Sequence, residues 1–234
     1  MAFSGDGLKL ASAALLVSEM EGTVSGELKI WDVKTNQEIH RLPVDSCLVH
    51  SMAFDSHGSR LAVASGGLGP KNDKPKPSAQ SQLRIWDTKD GHQLLRVEGH
   101  TGLVSCVTFS PDGGRVAAAG FHDPTVRVWD ATTGRPICSP LRAFPSPLTS
   151  VAFSPDGKRL AATGYAGMVK LWDAASGHDV LTLRGLGPPD SGQYAFTARV
   201  LFSPDGRFLA ANTAKGIINI WEGGPDPLIR KSWR

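Results

Sequence analysis

His100, in "EGHTG", and Asp123, in "FHDPT", are the residues of this 234-residue chain whose types come closest to a catalytic pair. An imidazole beside a carboxylate can move protons as a general acid or base. No nucleophile accompanies them, and the recognised catalytic signatures are absent: there is no G-x-S-x-G elbow, no phosphate-binding G-x-x-x-x-G-K and no H-E-x-x-H. The seven histidines, at 40, 50, 57, 92, 100, 122 and 178, scatter over turns and loops without ligand spacing. Cys47, Cys106 and Cys138 are equally scattered, which predicts no metal site and suits free thiols in a reducing, cytoplasmic setting. Neither a cofactor nor a catalytic residue is expected.

What positions these residues is a repeat. The element "F-S-x-D-G" begins at Phe3, Phe109, Phe153 and Phe202, with a degraded copy, "FDSHG", at Phe54. Each is followed by a second element: "LKIWDVKTN", "LRIWDTKDG", "VRVWDATTG", "VKLWDAASG" and "INIWEGGPD". The tryptophans of that element are Trp31, Trp86, Trp129, Trp172 and Trp221, spaced 55, 43, 43 and 49 residues apart. Five of the six tryptophans therefore occupy one place in a repeating unit, and such a period decides the architecture.

The pieces between the turns read as strands. "VTF", "RVAAA" and "TVRVW" are short apolar or alternating runs bounded by turn residues. In "SPDG" proline pre-sets the backbone and glycine closes the turn. In "WDATTG" and "WDAASG" the aspartate can bond the backbone two residues on, while Gly134, Gly177 and, in the first copy, Asn36 can take a positive φ. Each unit predicts a four-stranded antiparallel sheet of ~45 residues, and stacking the sheets about an axis hides their faces. The apolar run "LKLASAALLV" aligns with the repeat and reads as a strand rather than a signal peptide. Composition agrees: 41% hydrophobic and 20% charged residues are a globular balance, and 26 glycines and 16 prolines favour turns. A formal charge of +3 implies neither a nucleic-acid nor a membrane surface.

"FSPDG…VRVWDATTG" and its copies resemble the WD-repeat (Trp-Asp repeat) β-propellers, with repeats regular enough to look bacterial in type. The resemblance covers essentially the whole chain. It implies an all-β fold: a β-propeller of about five four-stranded blades, near 1–45, 46–100, 101–143, 144–186 and 187–234, forming an open arc or a fragment of a larger propeller. It makes the five tryptophans and the following Asp32, Asp87, Asp130 and Asp173 structural. It also places His100, Asp123 and Trp129 in a hydrogen-bond chain whose hydroxyl member, near Ala119, is missing. The other blades lack the aspartate, with Ser25, Gln80, Ala166 and Lys215 in its place.

Function is expected on the loops. The insertion 66–82 carries Lys71, Lys74 and Lys76 between prolines; a second, 184–198, carries Tyr194 and Phe196. Phe121, His122, Phe144 and Tyr165 stand on shorter loops. Aromatics beside a basic loop suit a protein or peptide partner, so the expectation is a non-enzymatic interaction scaffold. The rival is a hydrolase or lyase at the axial channel, for which His50, Ser105, Thr149 and Ala198 supply no convergent set; nucleic-acid binding by the 66–82 loop is a weaker third reading. The chain opens at "MAFSGDG", inside a first strand, and ends on the poor strand "DPLIRKSWR". Five blades that close imperfectly, or an arc of a longer array, would leave apolar end faces that self-associate or bind further blades. Trp31 is expected on one end face and Phe202 or Trp221 on the other.

Overall fold

The computed structural model describes residues 1–18, 23–44, 48–66, 82–184, 197–213, 216–223 and 229–233. They form five four-stranded antiparallel sheets. Blade one comprises β1 (Ala2–Phe3), β2 (Lys9–Ser18), β3 (Thr23–Asp32) and β4 (Gln37–Leu42). Blade two comprises β5 (Val49–Phe54), β6 (Arg60–Ser65), β7 (Gln82–Asp87) and β8 (Gln93–Val97). Blade three comprises β9 (Val104–Phe109), β10 (Arg115–Gly120), β11 (Thr125–Asp130) and the short β12 (Leu141–Arg142). Blade four comprises β13 (Leu148–Phe153), β14 (Arg159–Gly164), β15 (Val169–Asp173) and β16 (Asp179–Leu183). Blade five comprises β17 (Thr197–Phe202), β18 (Phe208–Thr213), β19 (Ile218–Glu222) and β20 (Ile229–Trp233). The stretch that could pass for a signal peptide is thus β2, and the weak C-terminal segment is β20, paired to β19.

Both turns work as their residues dictate. In "FSPDG" of blade three the Ser110 hydroxyl donates to Asp112 Oδ1 and accepts from the Arg115 amide at 2.9 Å, and Gly113 turns at φ 68°. Blade two reaches the same turn with the charge moved. Asp55 replaces the serine, is buried, and accepts from the Ser59 and Arg60 amides at 2.8 and 3.1 Å. After the tryptophan, Asp130 Oδ1 accepts from the Thr132 and Thr133 amides at 3.0 and 2.7 Å. Asn36 holds the left-handed slot at φ 57°, where Gly91, Gly134 and Gly177 stand in the next blades.

The tryptophans of blades two to five each face the blade before. Trp86 packs with Ala11, Leu28 and Ile30 of blade one. Trp129 meets Ala62, Leu83 and Ile85 of blade two, Trp172 meets Ala117, Val126 and Val128 of blade three, and Trp221 meets Val169 and Leu171 of blade four. All four are buried, while Trp31 is only half-buried. First strands of blades two to five lie against one another in order, and the described residues show no comparable packing of blade five on blade one. The array is an open propeller arc.

One end face differs from expectation. Trp221 is buried, because it points back at blade four. The uncovered side of blade five carries instead Leu201 and Ile218. Ile218 is 45% exposed, whereas its register equivalents Leu28, Leu83, Val126 and Val169 are at most 3% exposed.

Two further sets of bonds cross between blades. At the start of the second strand a cation reaches the following blade: Lys9 Nζ donates to the Gly58 carbonyl (3.0 Å) and Thr88 Oγ1 (2.8 Å). Arg60 donates to the Gly113 carbonyl (2.6 Å) and the Ala131 carbonyl (3.4 Å), and Arg115 to those of Gly157 (2.7 Å) and Ala174 (2.8 Å). Near the axis, Ser51 Oγ accepts from the Val107 amide at 3.1 Å and Ser150 Oγ from the Val200 amide at 3.2 Å.

Candidate interaction face

The loops after the second strands and those before the first strands meet at one end of the arc. A backbone bond in the same register ties each pair: Gly66 to the Leu48 carbonyl (3.0 Å), Phe121 to that of Leu103 (2.6 Å) and Tyr165 to that of Pro147 (3.0 Å). Blade two makes its bond after Ser65, whereas in blades three and four the residue before the bond is a glycine whose neighbours come too close for a side chain. A Cβ on Gly120 would lie 2.0 Å from the Asp123 carbonyl oxygen, and one on Gly164 would lie 2.1 Å from that of Pro147. These glycines stand in the repeated "AAAG" and "AATG", but only the tertiary approach shows why.

On that support three aromatic rings gather. Phe121 meets His122 edge-on at 5.1 Å and Tyr165, across the joint to blade four, at 5.5 Å. His122 is exposed and the other two are half-buried. Phe144, expected among the contact residues, is 8% exposed and belongs to the core between blades three and four, because the loop after β12 folds inward. Lys71, Lys74, Lys76, Tyr194 and Phe196 lie outside the described residues.

His100 and Asp123 do meet beneath this face. His100 Nδ1 lies 3.2 Å from Asp123 Oδ2, and its Nε2 lies 3.3 Å from the Ala118 carbonyl. Asp123 also accepts from Thr125 Oγ1 at 3.1 Å, and the His100 ring sits edge-on to Trp129 at 5.8 Å. Blade one shows what the missing member does: Trp31 Nε1 donates to Ser12 Oγ at 2.8 Å. Ser12 lies two residues beyond the partner of Trp31 on β2, and the same count from the partner of Trp129 gives Ala118 rather than Ala119. This serine–tryptophan bond was missed in the sequence, where "LASAA" looks like any small-residue run.

Burial pushes the His100 imidazole below its ordinary pKa, and the charge of Asp123 offsets this only in part. Burial also acts on Asp123, but the Thr125 hydroxyl and the charge of His100 outweigh it and hold the carboxyl below its usual range. The unfolded imidazole takes up its proton near about pH 6.5 and the folded one only at lower pH, so the unfolded chain binds more protons in between. Stability is therefore expected to fall as the pH drops below about 6.5. Thermal melts across that range check it: the slope should flatten in His100→Gln, and Asp123→Ala should melt lower than the parent at neutral pH.

The family model of the WD domain, G-beta repeat, matches residues 91–130 and 138–173, which span the two blades carrying this face. Blades three and four thus carry repeats of the WD type. It is 31% identical over 110 residues to WD repeat and SOCS box-containing protein 1 of Xenopus tropicalis, covering 47% of this chain and 23% of that protein. It is 28% identical over 113 residues to Periodic tryptophan protein 2 of Saccharomyces cerevisiae, covering 48% of this chain and 11% of that protein. The chain spans less than a quarter of the length of either relative. Blade three brings the bonded His100–Asp123 pair beside its tryptophan, the His100 ring meeting Trp129 edge-on.

Proposed function

We propose that the chain is a non-enzymatic scaffold that binds a protein or peptide over the loop face of blades three and four. The observation that carries this is the Phe121–His122–Tyr165 cluster, which joins two blades and stands on backbone pinned at Gly120 and Gly164. Rigid aromatic surface costs little entropy to present, and such residues dominate interface energetics. The His100–Asp123 pair supports the reading from below: it is buried under the face, bonded to backbone and packed on Trp129, which suits a structural strut. The WD-repeat relatives agree with a scaffold. Cys106 and Cys138 are free thiols, which favours a cytoplasmic location.

The test is capture of partners by the intact chain, by Phe121→Ala with Tyr165→Ala, and by a chain lacking residues 66–82. Truncating the two rings should weaken the captured complex by about tenfold or more while the melting curve stays in place. Retention of the same partners at the same strength by the double variant sinks the aromatic face. The loop deletion reads the share carried by Lys71, Lys74 and Lys76.

A further inference from the structure

Blade one carries, unfilled, a receptor that arginines fill at two of the chain's internal joints. At the joint of blades two and three the Arg60 guanidinium stands 5.3 Å from the centre of the Phe109 ring and donates to the carbonyls of Gly113 and Ala131. At the next joint Arg115 stands 5.3 Å from Phe153 and donates to those of Gly157 and Ala174. The receptor is thus a phenylalanine that ends a first strand, a turn glycine's carbonyl, and the carbonyl two residues after the tryptophan. Planar guanidinium suits this trio, because it can stack on a ring while its edge donates to two acceptors.

The matching residues of blade one are Phe3, Gly7 and Val33. Phe3 is 64% exposed, whereas Phe109 and Phe153 are at most 8% exposed. Among the described residues no donor reaches the Gly7 or Val33 carbonyl. Beside them, Trp31 and Leu10 are half-buried where Trp129 and Val116 are fully covered by the preceding blade. The face is therefore a whole joint surface and not a lone exposed ring. The chain's own fifth blade is the wrong partner for it. Where Lys9, Arg60, Arg115 and Arg159 begin the second strands, blade five has Phe208. Where Ser51 and Ser150 accept an amide from the following blade, blade five has Arg199, which has no acceptor to offer.

We propose that the exposed face of blade one is a docking site for a propeller blade that brings an arginine at the start of its second strand. The guanidinium stacks on Phe3 and donates to the carbonyls of Gly7 and Val33. Aliphatic residues of the same blade cover Trp31 and Leu10, as Leu83 and Ile85 cover Trp129. Phe208 excludes the chain's own blade five from that role. This goes beyond the scaffold reading, since it concerns another face and another kind of contact.

Converting the wrong partner into the right one tests it. Phe208→Arg supplies the missing guanidinium, so blade five of one molecule should dock on blade one of another, or of itself. Sedimentation equilibrium at tens of micromolar should show at least tenfold tighter association than the parent, or, if the chain closes on itself, the melting temperature should rise at constant mass. Adding Phe3→Ser should cancel either gain, and Phe208→Ala should give none. In the unmodified chain, arginine amide should shift the Phe3 ring resonances saturably and glycine amide should not, a measurement that stands even where Phe208→Arg fails to fold. No gain in mass or melting temperature from a folded Phe208→Arg overturns the proposal, as does a gain that survives Phe3→Ser. Should that variant not fold, the absence of a saturable arginine-specific shift at Phe3 overturns it.

Discussion

Trp129→Ala should lower the stability of the chain by about 3–5 kcal/mol. The indole is buried at the joint of blades two and three, among Ala62, Leu83, Ile85 and Val107. A side chain of this size buries ~150–250 Å², worth roughly 4–6 kcal/mol of transfer energy before entropy is counted. Truncation also leaves a cavity between two rigid sheets that cannot collapse into it. His100 loses the ring it meets edge-on, which adds to the loss. Urea titration measures the effect, and Trp31→Ala is its internal comparison. Trp31 has the same place in its unit but no blade in front of it, so its truncation should cost far less. Equal losses at the two positions would contradict the direction in which the tryptophans face.

Gly120→Ala is the second large effect, expected at about 3 kcal/mol. A methyl group there would sit 2.0 Å from the Asp123 carbonyl oxygen and 2.9 Å from His100 Nδ1. Neither can yield cheaply, since one is backbone and the other is held by Asp123 and the Ala118 carbonyl. The loop 121–124 must move, carrying Phe121 and His122 out of the aromatic cluster. The variant should therefore lose partner capture as well as stability. Gly114→Ala is the control: its Cβ would meet nothing nearer than 3.5 Å, at Asp112, and the residue is exposed. A melting temperature for Gly120→Ala equal to that of Gly114→Ala would show that the loop is softer than its geometry implies.

The five units, the places of the tryptophans and the left-handed Asn36 were all legible in the sequence, because each is written several times and any one copy can be read against the others. The His100–Asp123 bond was legible for a different reason: the resemblance to WD repeats puts the two residues in one hydrogen-bond chain, and the structure brings them to 3.2 Å. What was not legible depends on contacts between copies. Nothing local says that Arg60 and Arg115 end on carbonyls of the next blade, or that Ser51 and Ser150 take its amides. Phe144 looked like a loop aromatic, and its burial follows from the two sheets that the loop is pressed between. Trp221 was expected at an open end because position in the chain was read as position in space. Its facing direction, not its rank, decides its cover.

Among the described residues each blade packs on the one before and the one after, with first strands in file and the tryptophans of blades two to five pointing backwards. The free energy of such a molecule is close to a sum of nearest-neighbour terms along a line. Blades two, three and four have two neighbours and blades one and five have one, so opening begins at the ends and moves inward. Amide exchange should rank accordingly, with the strands of blade three the slowest to exchange and those of blades one and five the fastest. The face with Phe121, His122 and Tyr165 sits over the slow-exchanging centre. A partner held there would meet a surface that keeps its shape while the ends of the array breathe.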